Sequence, residues 1–402
     1  MRLFPNLGLI FFAGKTYASY RDFGIPVSSA TVDVRIFNVA NVTFVNKAGG
    51  VSLIEPILPG REALEFSAYA FLVEHKTSRL MFDLGTRVDP KNYAPSIAGF
   101  FSSGVLQLQS PAKDIFDLLR VGGIALNSIN AVIWSHAHFD HVVCIFVPFN
   151  LVQLKLPQGD MSKFPSSTKL VIGSETDTQT YPQFANASLL ASDFAGRTVT
   201  KLNFATANLT FANLKAIDYF GDGSFYLLDT PGHLPGHLSA LARVTPTSFV
   251  HLAGDTYHNA AEMRPRPEIQ QSFPCPAHLL DDAKAISTDY FWSPGSRNGA
   301  FDLRSRAAPL LVTSDLPESF TSDPITAGIS ADKVAAFDAD SDFLVVAAHD
   351  ISLRSSLPYF PESLNTWKTN QLKQKSLWNF LDKTNPAFIF SPINQTNSVI
   401  KT

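Results

Sequence analysis

Three imidazoles and a carboxylate fall within six positions in the stretch Ser135-His136-Ala137-His138-Phe139-Asp140-His141. Histidine nitrogen and carboxylate oxygen are both good zinc ligands, so the segment is a dense store of them. His136 and His138, two apart at the end of an extended run, project to one side. Asp140 and His141 follow where the chain turns and can face a second metal. A lone histidine is more often structural than a ligand, but four ligand-type residues directly behind AVIW are hard to explain as a solvated loop. Three further motifs repeat the pattern. Asp229-Thr230-Pro231-Gly232-His233-Leu234-Pro235-Gly236-His237 follows FYLL, Ala253-Gly254-Asp255-Thr256 follows SFVHL, and Ala348-His349-Asp350 follows FLVVA. Each candidate ligand therefore sits just past the C-terminal end of an apolar strand, where α/β folds gather their sites.

Taken in order, HxHxDH, TPGHxPGH, GD and a final His resemble the metallo-β-lactamase superfamily over roughly 32–350. The resemblance is nearest to its lactonase-like branch, the N-acyl homoserine lactonases and fungal lactone and lactam hydrolases. It implies an α/β fold, a four-layer αβ/βα sandwich with the site at one edge of two packed sheets. It further implies two Zn²⁺: His136, His138 and His233 would hold the first, Asp140, His141 and His349 the second, and Asp255 would bridge both. Asp83, in the DLG that closes a hairpin, matches the family's first motif and reads as a support for ligands. Two zinc ions about 3.5–4 Å apart would lower the pKa of a shared water to about 7, giving a hydroxide that attacks a carbonyl. Asp140 and Asp255 are then the catalytic carboxylates, orienting the hydroxide and passing its proton to the leaving group. The expected substrate is a small cyclic ester or amide: a secondary metabolite, a signal or a xenobiotic. A glyoxalase II-like thioesterase shares the ligand set, and a mononuclear iron persulfide dioxygenase uses a related scaffold with fewer ligands. His258 lies three residues after Asp255, where the homoserine lactonases place a substrate-polarising tyrosine. Tyr257 is one residue earlier, so both are candidate substrate contacts. His237 reads as support or packing, His75, His251 and His278 as structural, and Arg264 and Arg266 as solvated surface.

The elements that must position these groups are visible in the rest of the chain. With 402 residues, 45% hydrophobic and 17% charged, it can bury a large core. A net charge of −3 without a basic block argues against nucleic-acid binding. Cys144 and Cys275 cannot make a disulfide framework, and no apolar run approaches the roughly eighteen residues of a membrane helix. TVDVRIFNVANVTFV reads as one or two strands, AYAFLVEH-KTSR-LMFDLG as a hairpin, and INAVIW, KLVIG, FYLL, SFVHL and FLVVA as further strands. PAKDIFDLLRVGG reads as a helix, SADKVAAFDAD as a helix with Ser330 as N-cap, and SLNTWKTNQLKQKSLWNFLDKT as an amphipathic surface helix. This organises the chain into an N-terminal extension (1–30), a hydrolase domain (31–370) and a C-terminal helix and tail (371–402). Residues 143–158, almost wholly apolar, break the family pattern and read as an insertion or a translated intron. The opening MRLFPNLGLIFFAGKTYAS imitates a secretory signal, but its apolar run is short and its cleavage region poor. A cytoplasmic protein is expected.

Overall fold

The computed structural model describes residues 19–109, 113–142, 144–145, 158–279 and 309–390. Two mixed sheets carry the fold. The first contains Asp33–Phe44 (β1), Leu64–His75 (β2), Ser78–Phe82 (β3), Leu106–Leu108 (β4), Ala131–Ile133 (β5), Lys169–Gly173 (β6) and Val199–Leu202 (β7), in the order β7-β6-β5-β3-β2-β1-β4. The second contains Leu209–Phe211 (β8), Leu214–Asp218 (β9), Phe225–Asp229 (β10), Leu238–Thr245 (β11), Ser248–Leu252 (β12) and Phe343–Val346 (β13), in chain order. The pairs β3–β5, β5–β6, β6–β7 and β12–β13 are parallel. β1 is one long strand against β2, with its register shifted between Asn38 and Ala40.

Period-two alternation sorts the strand residues into layers. Val34, Ile36, Phe71, Phe82 and Ile133 of the first sheet meet Leu227, Ala240, Val250 and Val346 of the second in one core. On the outer face of the first sheet, Leu72, Val132 and Leu170 pack against Ile115, Phe116 and Leu119 of the helix Ile115–Val121. On the outer face of the second, Tyr226, Leu241 and Phe249 pack against Val334 and Phe337 of the helix Pro324–Ala339, and Tyr20 and Phe23 join them. Helix, sheet, sheet, helix is the four-layer order expected.

Local differences from the sequence reading have physical causes. Ser330 is not an N-cap: the helix starts at Pro324, capped by the Asp323 side chain, which accepts from Thr326 N at 3.0 Å. Ser330 instead lies inside it and donates to Pro231 O at 2.7 Å. The C-terminal amphipathic helix is broken into Leu364–Thr366, Leu372–Ser376 and Asn379–Leu381, with Gln371 at φ 55°. Its Trp367 and Trp378 are buried in two different cores, which one straight helical face could not reach. Arg264 is not solvated: it is buried in a two-pronged pair with Asp338, whereas Arg266 pairs with the exposed Asp332. Of the supposed insertion, Cys144–Ile145 pairs antiparallel with Gln158–Gly159, and the rest lies outside the described residues. Among the described residues no helix is long and apolar enough to cross a membrane.

His251 is structural, as expected. Its Nε2 meets Ser239 Oγ at 2.9 Å, and burial pushes its pKa down to about 3. A base with a depressed folded pKa stabilises above its ordinary value near 6.5 and loses that contribution as the pH falls toward 3. Unfolding free energies measured across this range should fall less steeply in His251→Leu, by about one proton or ~1.4 kcal/mol per pH unit. An unchanged slope would show that the ring protonates as easily folded as unfolded.

Candidate metal centre

Four strand ends converge at one edge of the paired sheets. Beyond β5 come Ser135, His136 and His138, and the single turn Phe139–Val142 carries Asp140 and His141. Beyond β10 the TPGH turn delivers His233, beyond β12 comes Asp255, and beyond β13 comes His349. Gly232 is required in its turn: φ is 124°, and an added Cβ would lie 2.1 Å from Ala327 N. That close approach seats the TPGH turn on the helix Pro324–Ala339.

Seven side chains gather in two groups that could each hold a metal ion, His136, His138, His233 and Asp255 in one, Asp140, His141 and His349 in the other. Asp255 lies between them. Its Oδ2 is 3.3 Å from His233 Nε2, 3.6 Å from His136 Nε2 and 3.2 Å from His349 Nε2, and its Oδ1 is 3.2 Å from His141 Nε2. Asp140 Oδ2 approaches His349 Nε2 at 3.4 Å.

Several rings are held from behind, which fixes which nitrogen faces the centre. His349 Nδ1 donates to Ser67 O at 2.7 Å. His141 Nδ1 meets Asp83 Oδ2 at 2.8 Å, and the same carboxylate accepts from Ser135 N and Ser135 Oγ. His233 Nδ1 meets Thr321 Oγ1 at 3.3 Å, and His136 Nδ1 meets Ser135 Oγ at 3.0 Å. Asp83 thus supports ligands, at φ 57°, a left-handed conformation that Asp tolerates better than most residues. His237 also supports: its Nε2 accepts from Asp255 N at 3.0 Å and its Nδ1 donates to Thr230 O at 2.7 Å. The SHAHFDH motif pointed to Ser135 only by adjacency. Ser67 and Thr321 carried no sequence signal.

Electrostatics suit a cation. Burial pushes His136 and His233 well below the ordinary histidine value and takes His138 to about 4, leaving neutral rings with lone pairs to give. Burial also acts downward on His141 and His349, but it is outweighed, by Asp255 and Asp83 for the first and mainly by Asp255 for the second, and both rise. Burial would raise Asp255, yet His141, His349 and His136 hold it well below the usual carboxylate range. His136 Nε2 and Asp255 Oδ1 are buried without hydrogen-bond partners, which is costly unless a cation meets them. The donor set therefore fits a metal.

A cavity of about 200 Å³ opens onto these groups, lined by His138, Asp140, Asp255, His258 and His349 on one side and by apolar residues including Phe44, Phe66, Phe139 and Phe320 on the other. His258 faces it. Tyr257 does not: it is fully buried, and its hydroxyl donates to Asp350 Oδ2 at 3.1 Å.

Residues 39–146 match the family model of the metallo-beta-lactamase superfamily. The metallo-hydrolase mfmC of Annulohypoxylon moriforme is 34% identical over 90% of this chain and 90% of its own length. This chain belongs to the metallo-β-lactamase superfamily. The gamma-lactamase FDB1 of Fusarium pseudograminearum is 31% identical over 90% of this chain and 84% of its own. AiiA of B. thuringiensis, solved with N-decanoyl-L-homoserine at its active site, superposes with a TM-score of 0.51 at 15% identity, covering 83% of this chain and 99% of AiiA; this shows the shared fold. Superfamily membership and the His/Asp cluster make the protein a metal-dependent hydrolase.

Proposed function

We propose that this superfamily member holds two Zn²⁺ and opens a lactone or lactam ring of a small molecule. The observation that carries the reading is Asp255, whose two oxygens face both ligand groups from a buried position. His136, His138 and His233 form one site, Asp140, His141 and His349 the other, and Asp255 belongs to both. Bound there, the zinc pair supplies Lewis acidity and a water whose pKa is lowered to about 7. The protein's own groups do the rest. His141 and His349 are aimed by Asp83 and by Ser67 O, so their Nε2 atoms need no reorganisation. Asp140, the more accessible of the two central carboxylates, is placed to take a proton on Oδ and pass it to the leaving ring heteroatom. Phe44, Phe66 and Phe320 keep bulk water away from the reacting carbonyl.

The test is the purified, zinc-loaded protein assayed against lactones, lactams and thioesters, with bound metal measured by mass spectrometry. About two zinc per chain with lactone or lactam turnover is the expected result. Turnover confined to thioesters would replace the reading with a glyoxalase II-like one. One iron per chain with oxygen uptake would replace it with a persulfide dioxygenase.

A further inference from the structure

Tyr257 is wholly buried in the core between the second sheet and the helix Pro324–Ala339. A phenylalanine would satisfy that packing, so the hydroxyl needs a separate account. It donates to Asp350 Oδ2 at 3.1 Å, and Asp350 directly follows the candidate ligand His349. Tyr257 itself stands two positions after Asp255. Burying a phenol and a carboxylate is costly unless each is hydrogen-bonded, and this pair joins the two turns that carry Asp255 and His349.

Those turns are joined on their other side by backbone. β12 and β13 pair as far as Leu252 and Val346, and two hydrogen bonds carry the ladder onward: Ala253 N donates to Val346 O, and Ala348 N to Gly254 O, each at 2.9 Å. Asp255 and His349 come next, and the phenol–carboxylate rung follows them. The two candidate ligands are thus held between a backbone rung and a side-chain rung, with Asp255 Oδ2 3.2 Å from His349 Nε2. Asp350 is anchored in turn. Ser352 N and Ser352 Oγ donate to its Oδ1, and the hydroxyl of Tyr69 in β2 donates to its carbonyl at 3.2 Å.

We propose that Tyr257 is a positioning residue whose hydroxyl fixes the spacing of Asp255 and His349, and thereby sets the affinity of the second metal ion more than that of the first. The proposal rests on the two-ion reading and adds a residue outside both ligand groups. His349 belongs to the second group, which otherwise has Asp140 and His141, whereas the first keeps His136, His138 and His233 from other strand ends.

Competition of the zinc-loaded protein with a chromophoric chelator, with the remaining zinc counted by mass spectrometry, tests it. Tyr257→Phe removes one oxygen and should weaken the second ion about 10–100-fold and the first by less than about threefold. The cobalt(II)-loaded protein should show the same split in its visible absorption. Asp350→Leu breaks the rung from the other side and should behave alike, which decides the matter where Tyr257→Phe does not fold. Ser352→Ala removes a different hydrogen bond to the same carboxylate, and should lower stability while leaving both affinities unchanged. Equal weakening of both ions in Tyr257→Phe overturns the proposal, since general loosening of the fold does that. So does an unchanged second ion, or the same loss in Ser352→Ala. A wild-type chain that takes up only one ion sinks the two-ion reading instead. The rung is then judged on that ion, and Tyr257→Phe holding it as tightly as the wild type overturns the rung as well.

Discussion

Asp255→Ala should lose bound metal and turnover together, with activity down roughly 10³-fold or more while the far-ultraviolet circular dichroism stays native. Asp255 is the group on which the two candidate ligand sets converge, with histidine nitrogens from three different strand ends within 3.2–3.6 Å of its carboxylate. Removing it leaves His141 and His349 facing each other, their Nε2 atoms 3.3 Å apart, without the negative charge that raises both pKa values. The fold does not depend on the carboxylate, because the sheets beneath are joined through apolar side chains. His138→Ala should behave alike, since His138 faces His233 Nε2 at 3.0 Å within the same group. Full activity in either variant would remove these residues from the centre.

Asp338→Ala should cost about 3–5 kcal/mol of unfolding free energy, the largest loss of stability foreseen for a change outside the centre. Arg264 donates through Nε and Nη2 to the two oxygens of Asp338 at 2.7 and 2.9 Å, and through Nη1 to Leu377 O at 2.8 Å, all three groups buried. Burial acts against both charges, but each holds its partner ionised, so Arg264 rises and Asp338 falls from its ordinary value. A carboxylate with a depressed folded pKa stabilises above its unfolded value and loses that contribution as acid protonates it. Truncating Asp338 strands a guanidinium where water cannot reach it. The double change Arg264→Met with Asp338→Leu should therefore be less destabilised than Asp338→Ala, a comparison that urea titrations decide. If the double variant were worse than the single one, burial of an unpaired charge would not be the cause.

What the sequence disclosed follows from where information sits in a chain. His136, His138, Asp140, His141, His233, Asp255 and His349 were legible because each stands directly behind a short apolar run, and strands bounded by turn residues announce themselves by composition. Of the supports, Asp83 and His237 were legible from the same motifs, and Ser67 and Thr321 were not. Ser67 contributes a backbone carbonyl, which any residue possesses, and Thr321 reaches His233 from 88 positions away. Arg264 looked solvated because nothing local marks Asp338 as its partner, 74 residues on. The C-terminal segment reads as one helix because spaced Trp, Leu and Phe fit a helical face, while the left-handed Gln371 breaks it and Trp367 and Trp378 are buried in separate cores. Tyr257 and His258 are neighbours in sequence and both buried, and only the direction of the chain after β12 tells the one turned into the core from the one that faces the cavity.

The strand that delivers His349 runs parallel to β12 yet follows it by roughly ninety residues. The last of the seven candidate ligands is therefore made only after β13, well behind the other six. A chain that ends before β13 carries six of the seven candidate ligands and leaves the second group with only Asp140 and His141.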